Sequence, residues 1–242
     1  MKKLVLSATI LALSAGMGLA QERTIRMGTE GAYPPYNFIN DSGEVDGFER
    51  ALGDELCARA GLTCQWVTND WDSIIPNLTS GNYDTIIAGM SITPERDEVI
   101  DFTQDYIPPS ASLFAALSDD VDLAGGYIAA QTNTIQSGYV AESGATLIEY
   151  ATPDETVAAV RTGEADAVLA DGDFLLDIVA EDDDLRIVGD PVSLGGGIGM
   201  GLRDNDDALR ATFDAAIASM KEDGTLNALI LEWFGEDAVT YN

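Results

Sequence analysis

A chain of 242 residues with 42 acidic and 12 basic side chains carries a formal charge of −30, and such a surface repels nucleic acid and anionic lipid. Histidine is absent, which excludes Ser-His and Cys-His nucleophilic sites and most zinc sites. The length suits one large domain or two small lobes, each with its own buried core.

In chain order, residues 1–20 (MKKLVLSATILALSAGMGLA) read as a cleaved secretory signal. Lys2 and Lys3 form the basic start, Leu4 to Leu13 the apolar stretch, and Gly18 and Ala20 the small residues of a cleavage site. The mature chain is expected to begin near Gln21, with export to the periplasm. No cysteine near that point offers a lipid anchor. A strand is expected over 24–29. Phe48, Ala51, Leu52, Leu56 and Ala60 recur at helical spacing. Cys57 and Cys64 are expected to be oxidised in an exported protein, with a free thiol pair as the alternative.

Residues 65–68 read as a strand, 72–78 as a helix and 83–88 as a buried strand. A helix then starts after Thr93, with Thr93 as N-cap and Pro94 in the first helical position. Arg96 would face the positive end of that helix, where an acid is the stabilising choice. A cation beside unpaired helix N–H groups makes a site for an anion such as a carboxylate. Strands over 126–130 and 146–150 are each followed by a helix, with Thr134 or Pro153 near its start. Another strand covers 165–170, with a helix from about Asp173, and 185–188 is a further strand. Helices over 206–222 and 225–234 end the chain. This rhythm indicates α/β units with mostly parallel sheets.

Two places interrupt the rhythm. Pro108 and Pro109 break the chain before an apolar strand at 113–117. Later, LGGGIGMG at 194–201 has glycines that fit G-x-G-x-x-G in no register. Both are read as crossings between two lobes, with two ordinary loops as the alternative. One lobe would combine 21–109 with 203–242, the other would span 113–193, and the hinges would be 109–112 and 194–202.

In open α/β sheets, ligands sit beyond the carboxyl ends of the strands. Glu30 follows the first strand, with Tyr33 three residues on. Ala88 and Gly89 end the 83–88 strand and lead to Ser91 and Arg96. Thr134 follows the 126–130 strand, Asp171 the 165–170 strand, and Trp71 precedes the 72–78 helix. Each has a plain alternative. Thr134 and Asp171 suit ordinary N-caps, Glu30 a solvated loop, and Tyr33 and Trp71 the core or a rim.

Several stretches together carry a resemblance: GTEGAYPPYNF, GFERALGDELCARAGLTCQWV, NDWDSIIPNLTSGNYDTIIAGMSITPERDEVIDFT, ADAVLAD and EDGTLNALILEWFG. The chain resembles the type II periplasmic solute-binding proteins of polar amino acid uptake systems, those for lysine, arginine, ornithine, histidine and opines. The resemblance implies two lobes, each a mostly parallel sheet flanked by helices, joined by two crossing strands. It implies an Arg96 that holds the ligand α-carboxylate with Ser91 and Thr134. Asp171 and the Gly89 backbone would hold the α-ammonium, Tyr33 and Trp71 would sandwich the side chain, and Glu30 would meet its distal charge. The cysteine pair matches a family disulfide. Ala88-Gly89 stands where several members have Ser-Ser, so a hydroxyl contact is missing there.

The resemblance also implies a membrane ABC permease as partner, a monomeric receptor, no cofactor and no catalysis. Its alternatives are a secreted dehydratase on the same fold and a sensor subunit that presents ligand to a membrane kinase.

Overall fold

The computed structural model describes residues 24–242, so the signal expected at residues 1–20 lies outside the described residues. The chain opens with β1 (Ile25–Thr29) and a small antiparallel meander of β2 (Ala32–Tyr33), β3 (Asn37–Ile39) and β4 (Val45–Asp46). Helix α1 (Phe48–Ala60) buries Phe48, Leu52 and Leu56 along one face and ends on Gly61 at φ +66. β5 (Cys64–Thr68) follows, and the Cys57–Cys64 disulfide ties its first residue back to the last turns of α1.

A 3₁₀ turn at Trp71–Ser73 runs into α2 (Ile74–Thr79). Then come β6 (Thr85–Ile86), the single turn α3 (Pro94–Asp97) and β7 (Ile100–Ile107). The next stretch is β8 (Ala111–Ala116), β9 (Tyr127–Gln131), α4 (Ile135–Ser143), β10 (Thr146–Tyr150) and α5 (Pro153–Thr162). It continues through β11 (Ala167–Asp171), α6 (Gly172–Glu181), β12 (Arg186–Ser193), β13 (Ile198–Arg203), α7 (Asp207–Glu222) and α8 (Thr225–Phe234).

The strands form two five-stranded sheets, ordered β5-β1-β6-β13-β7 and β10-β9-β11-β8-β12. The pairings make four strands of each sheet run one way and one run against them, β13 in the first and β8 in the second. The reversed strands are the two that the chain reaches on passing from one sheet to the other. It leaves the first sheet after Ile107 and returns to it at Ile198. The fold is therefore two-lobed α/β, of the type II periplasmic binding protein kind.

Three local outcomes differ from the sequence reading. The glycine-rich run continues into a strand, β13, with Ile198, Met200 and Leu202 buried. Its glycines serve close packing: a Cβ on Gly199 would lie 2.9 Å from Ile92 Cδ1, and one on Gly201 would lie 2.9 Å from Ile100 Cδ1. The expected strand over 83–88 is regular only at Thr85 and Ile86, with the Asp84 and Ile87 N–H groups donating to the Arg26 and Gly28 carbonyls at its two ends. The helix after Thr93 is one turn long. Thr93 does cap it, accepting the Arg96 N–H at 3.2 Å, but four residues build little dipole. The dipole argument for Arg96 is thereby corrected, and its position needs another account.

Candidate functional site

The carboxyl ends of β1, β6, β9 and β11 converge on one cavity between the two sheets, with about 470 Å³ of atom-free space. All nine residues expected at a site line it: Glu30, Tyr33, Trp71, Ala88, Gly89, Ser91, Arg96, Thr134 and Asp171. So do Gln131, Gln136, Pro153 and Thr156, which the sequence reading missed.

Arg96 is oriented by backbone and ring. Its guanidinium donates to the Ser91 carbonyl at 2.8 Å and to the Asn133 carbonyl at 3.4 Å, and its Cζ lies 5.3 Å from the Trp71 ring centroid. Burial lowers its pKa to about 10, opposed by the charge of Asp171, so it remains a cation at neutral pH. This clamp supplies the account that the helix dipole does not.

Asp171 occupies the N-cap position of α6 but makes no cap hydrogen bond. Its carboxylate turns into the cavity instead. It accepts from Tyr33 Oη at 2.8 Å and from Gln136 Nε2 at 2.9 Å. Burial raises its pKa to about 6, against the Tyr33 hydrogen bond and the charge of Arg96. Thr134, by contrast, is a working N-cap: its hydroxyl accepts the Ser137 N–H at 3.1 Å and donates to the Gln131 carbonyl at 2.7 Å.

Glu30 stands at the other end. Gln131 Nε2 donates to Glu30 Oε1 at 2.6 Å and to the Ala151 carbonyl at 3.1 Å. Burial raises the Glu30 pKa to about 7, which the Gln131 hydrogen bond opposes and nearby acids reinforce. Tyr33 stacks on Phe174 and Tyr36, with ring centroids 4.7 and 5.5 Å away, so its ring is braced on the cavity wall. Ala88 is buried and presents only a methyl group. Gly89 adopts φ +62, and a Cβ there would meet the Tyr33 ring at 3.3 Å.

The two residues whose absence from the sequence reading matters most are Gln131 and Glu49. Gln131 ends β9 just as Glu30 follows β1, so the strand-end rule that selected the others would have found it. Glu49 lies outside the cavity, fully buried in the first turn of α1. Its signal was an acid on the same helical stripe as Leu52 and Leu56.

The arrangement sets one half-buried cation opposite two half-buried acids inside a cleft between lobes. Among the described residues, no cluster of His, Cys, Asp or Glu could hold a metal ion, and no helix is long and apolar enough to cross a membrane. Fold and site define a solute-binding protein with a charge-lined interlobe pocket. The chain belongs to the bacterial extracellular solute-binding proteins, family 3, which it matches over residues 25–236.

It is 32% identical to the octopine-binding periplasmic protein of Rhizobium meliloti, over 94% of this chain and 95% of that one. It is 30% identical to the ABC transporter arginine-binding protein 1 of Escherichia coli, over 97% and 99%. A solved periplasmic His/Glu/Gln/Arg/opine family-binding protein from Silicibacter pomeroyi, in complex with lysine, shares 75% identity at a TM-score of 0.89. It covers 90% of this chain and 100% of its own. All three relatives are named for binding, and the names of the first and third call them periplasmic. The family and fold support the role of substrate-binding component of an ABC importer rather than that of a dehydratase.

Proposed function

We propose that the chain captures a cationic amino acid, or a related guanidino or opine-type compound, between two closing lobes and hands it to a membrane ABC permease. The observation that carries this reading is the charge pattern of the cavity. Arg96, Asp171 and Glu30 complement the three charges of a cationic amino acid: α-carboxylate, α-ammonium and distal cation. An unpaired charge in a desolvated cleft costs several kcal/mol, so each ligand charge needs its partner there. The lysine in the Silicibacter pomeroyi protein and the arginine and octopine in the names of other relatives support the same ligand class.

In this reading Arg96 holds the α-carboxylate, with Ser91 and Thr134 beside it. Asp171 and the Gly89 carbonyl hold the α-ammonium, and Glu30, fixed by Gln131, holds the distal charge. Trp71 and Tyr33 wall the aliphatic stem, and Ala88 adds no hydroxyl. The lobes follow the expected division of 21–109 with 203–242 and 113–193, except that the returning lobe begins at Ile198, where β13 joins the first sheet. They close about hinges at 109–112 and 194–197. The receptor is monomeric, reaches the periplasm through a cleaved signal at 1–20, and releases its ligand chemically unchanged.

A thermal-shift series with lysine, arginine, ornithine, octopine and glutamine tests the ligand class. A ligand at 100 times its Kd adds about 2.7 kcal/mol of stability. Stabilisation by the cationic compounds supports the reading. Stabilisation by glutamine alone overturns it.

A further inference from the structure

Glu49 is a charged side chain with no exposure and no place in the cavity. It accepts three hydrogen bonds from neutral donors. Gly89 N–H and the Tyr106 hydroxyl both donate to Oε1, the former at 2.6 Å, and Asn37 Nδ2 donates to Oε2 at 2.7 Å. Asn37 is itself buried, and its Oδ1 accepts the Gly31 N–H at 2.6 Å. The Gly31 N–H belongs to the peptide that follows Glu30. One carboxylate therefore holds the two backbone segments that carry Glu30 and Gly89. Through Tyr106 it also holds β7, whose last residue, Ile107, precedes the passage to the other sheet. The first turn of α1 favours a negative charge at this place.

The direction of every hydrogen bond in this chain requires two acceptor oxygens at position 49. An amide there would set its NH₂ against either the Gly89 N–H or the Asn37 NH₂. Turning the Asn37 amide over does not help, because its NH₂ would then face the Gly31 N–H. A donor facing a donor in a buried site displaces one of the two segments.

We propose that Glu49 is a positioning residue for solute recognition. Without touching the ligand, its buried carboxylate fixes the backbone beside Glu30 and at Gly89, and so sets the two points where the ligand's positive charges are received. This rests on the proposed cationic ligand and on the roles given to Glu30 and Gly89.

The test compares four full-length proteins by calorimetric titration with lysine, at a temperature where circular dichroism shows each fully folded. They are the wild type, Glu49→Gln, Asn37→Asp, and the double variant Glu49→Gln with Asn37→Asp. The double variant reverses the polarity of one link and restores every hydrogen bond. The new amide donates to the new carboxylate, which accepts the Gly31 N–H, while the amide oxygen accepts from Gly89 and Tyr106. Net charge is unchanged. We expect Glu49→Gln to weaken lysine binding at least tenfold, Asn37→Asp to weaken it similarly by opposing two carboxylates, and the double variant to return to within about threefold of wild type.

A lowered melting temperature with lysine affinity within twofold of wild type in Glu49→Gln would make Glu49 a stabilising residue only and overturn the proposal. So would a folded double variant that binds more than tenfold more weakly than wild type, and that comparison alone decides if Glu49→Gln does not fold. A wild type that binds no lysine, arginine or ornithine would instead overturn the ligand reading, a separate outcome.

Discussion

The Tyr33 hydroxyl donates to Asp171 Oδ2 at 2.8 Å and accepts the Asp171 N–H at 3.2 Å, so one oxygen joins β2 to the end of β11. The two residues belong to different sheets of the fold. A second pair repeats the link, with Tyr36 Oη donating to Asp173 Oδ2 at 2.9 Å. The acid proposed to receive the α-ammonium is thus already oriented by the opposite lobe.

Removing the first hydroxyl separates orientation from charge. Tyr33→Phe keeps the ring stacked on Phe174 and leaves Asp171 with Gln136 alone. A hydrogen bond to a charged group contributes about 1.5–3 kcal/mol, and this one joins the two lobes. Calorimetry should show lysine binding weaker by that amount. Unchanged affinity would mean that the bond plays no part in the bound state.

The raised carboxyls predict a pH response. Glu30 is pushed up to about 7 and Asp171 to about 6, both chiefly by burial. A folded pKa above the unfolded one means that the folded, unliganded protein holds these protons more tightly than the unfolded chain does. Their contribution to stability is complete below the unfolded range near pH 4 and is lost as pH rises through about 6 and about 7. The Tm of unliganded protein should therefore fall between about pH 5 and about pH 8, and the fall should be smaller in Glu30→Gln. A cationic ligand favours the ionised carboxylates, so binding near pH 6.5 should release protons. Calorimetry in buffers of different ionisation enthalpy measures that release directly, and proton uptake would contradict the assignment.

Arg96 is the cation whose loss leaves a carboxylate unpaired in the closed cleft. Arg96→Ala should weaken binding of every α-amino acid by about 3–5 kcal/mol. Arg96→Lys should recover only part of it. An ammonium cannot reproduce a planar guanidinium held by the Ser91 and Asn133 carbonyls over Trp71 while still pairing bidentately. Titrations of both variants with lysine and glutamine check the ordering.

Much of this site was legible in the sequence because strand ends and helix starts are local features. Thr93 and Thr134 cap helices as their positions imply, and α1 runs over the residues whose spacing announced it. Asp171 looked like an equally ordinary cap, and only the tertiary partners Tyr33 and Gln136 decide otherwise. β13 was hidden because glycine has little strand preference of its own. Gly199 and Gly201 belong in a strand only when Ile92 and Ile100 press against it. Arg96 was found by an argument from a helix dipole that a single turn hardly supplies. The residue does line the cavity, and what holds it there is Ser91, Asn133 and Trp71. Glu49 was passed over because a charged residue on an apolar stripe gains meaning only from donors as distant as Tyr106.

The most direct test of the account is the exchange of the distal acid. Glu30→Gln keeps the shape of the side chain and its link to Gln131, and removes the charge that a ligand's distal cation would meet. Titrations of wild type and Glu30→Gln with lysine, arginine and glutamine should show lysine and arginine weakened by about 2–5 kcal/mol and glutamine nearly unaffected. A wild type that prefers glutamine, or a variant that loses all three ligands equally, would contradict the cationic-ligand reading.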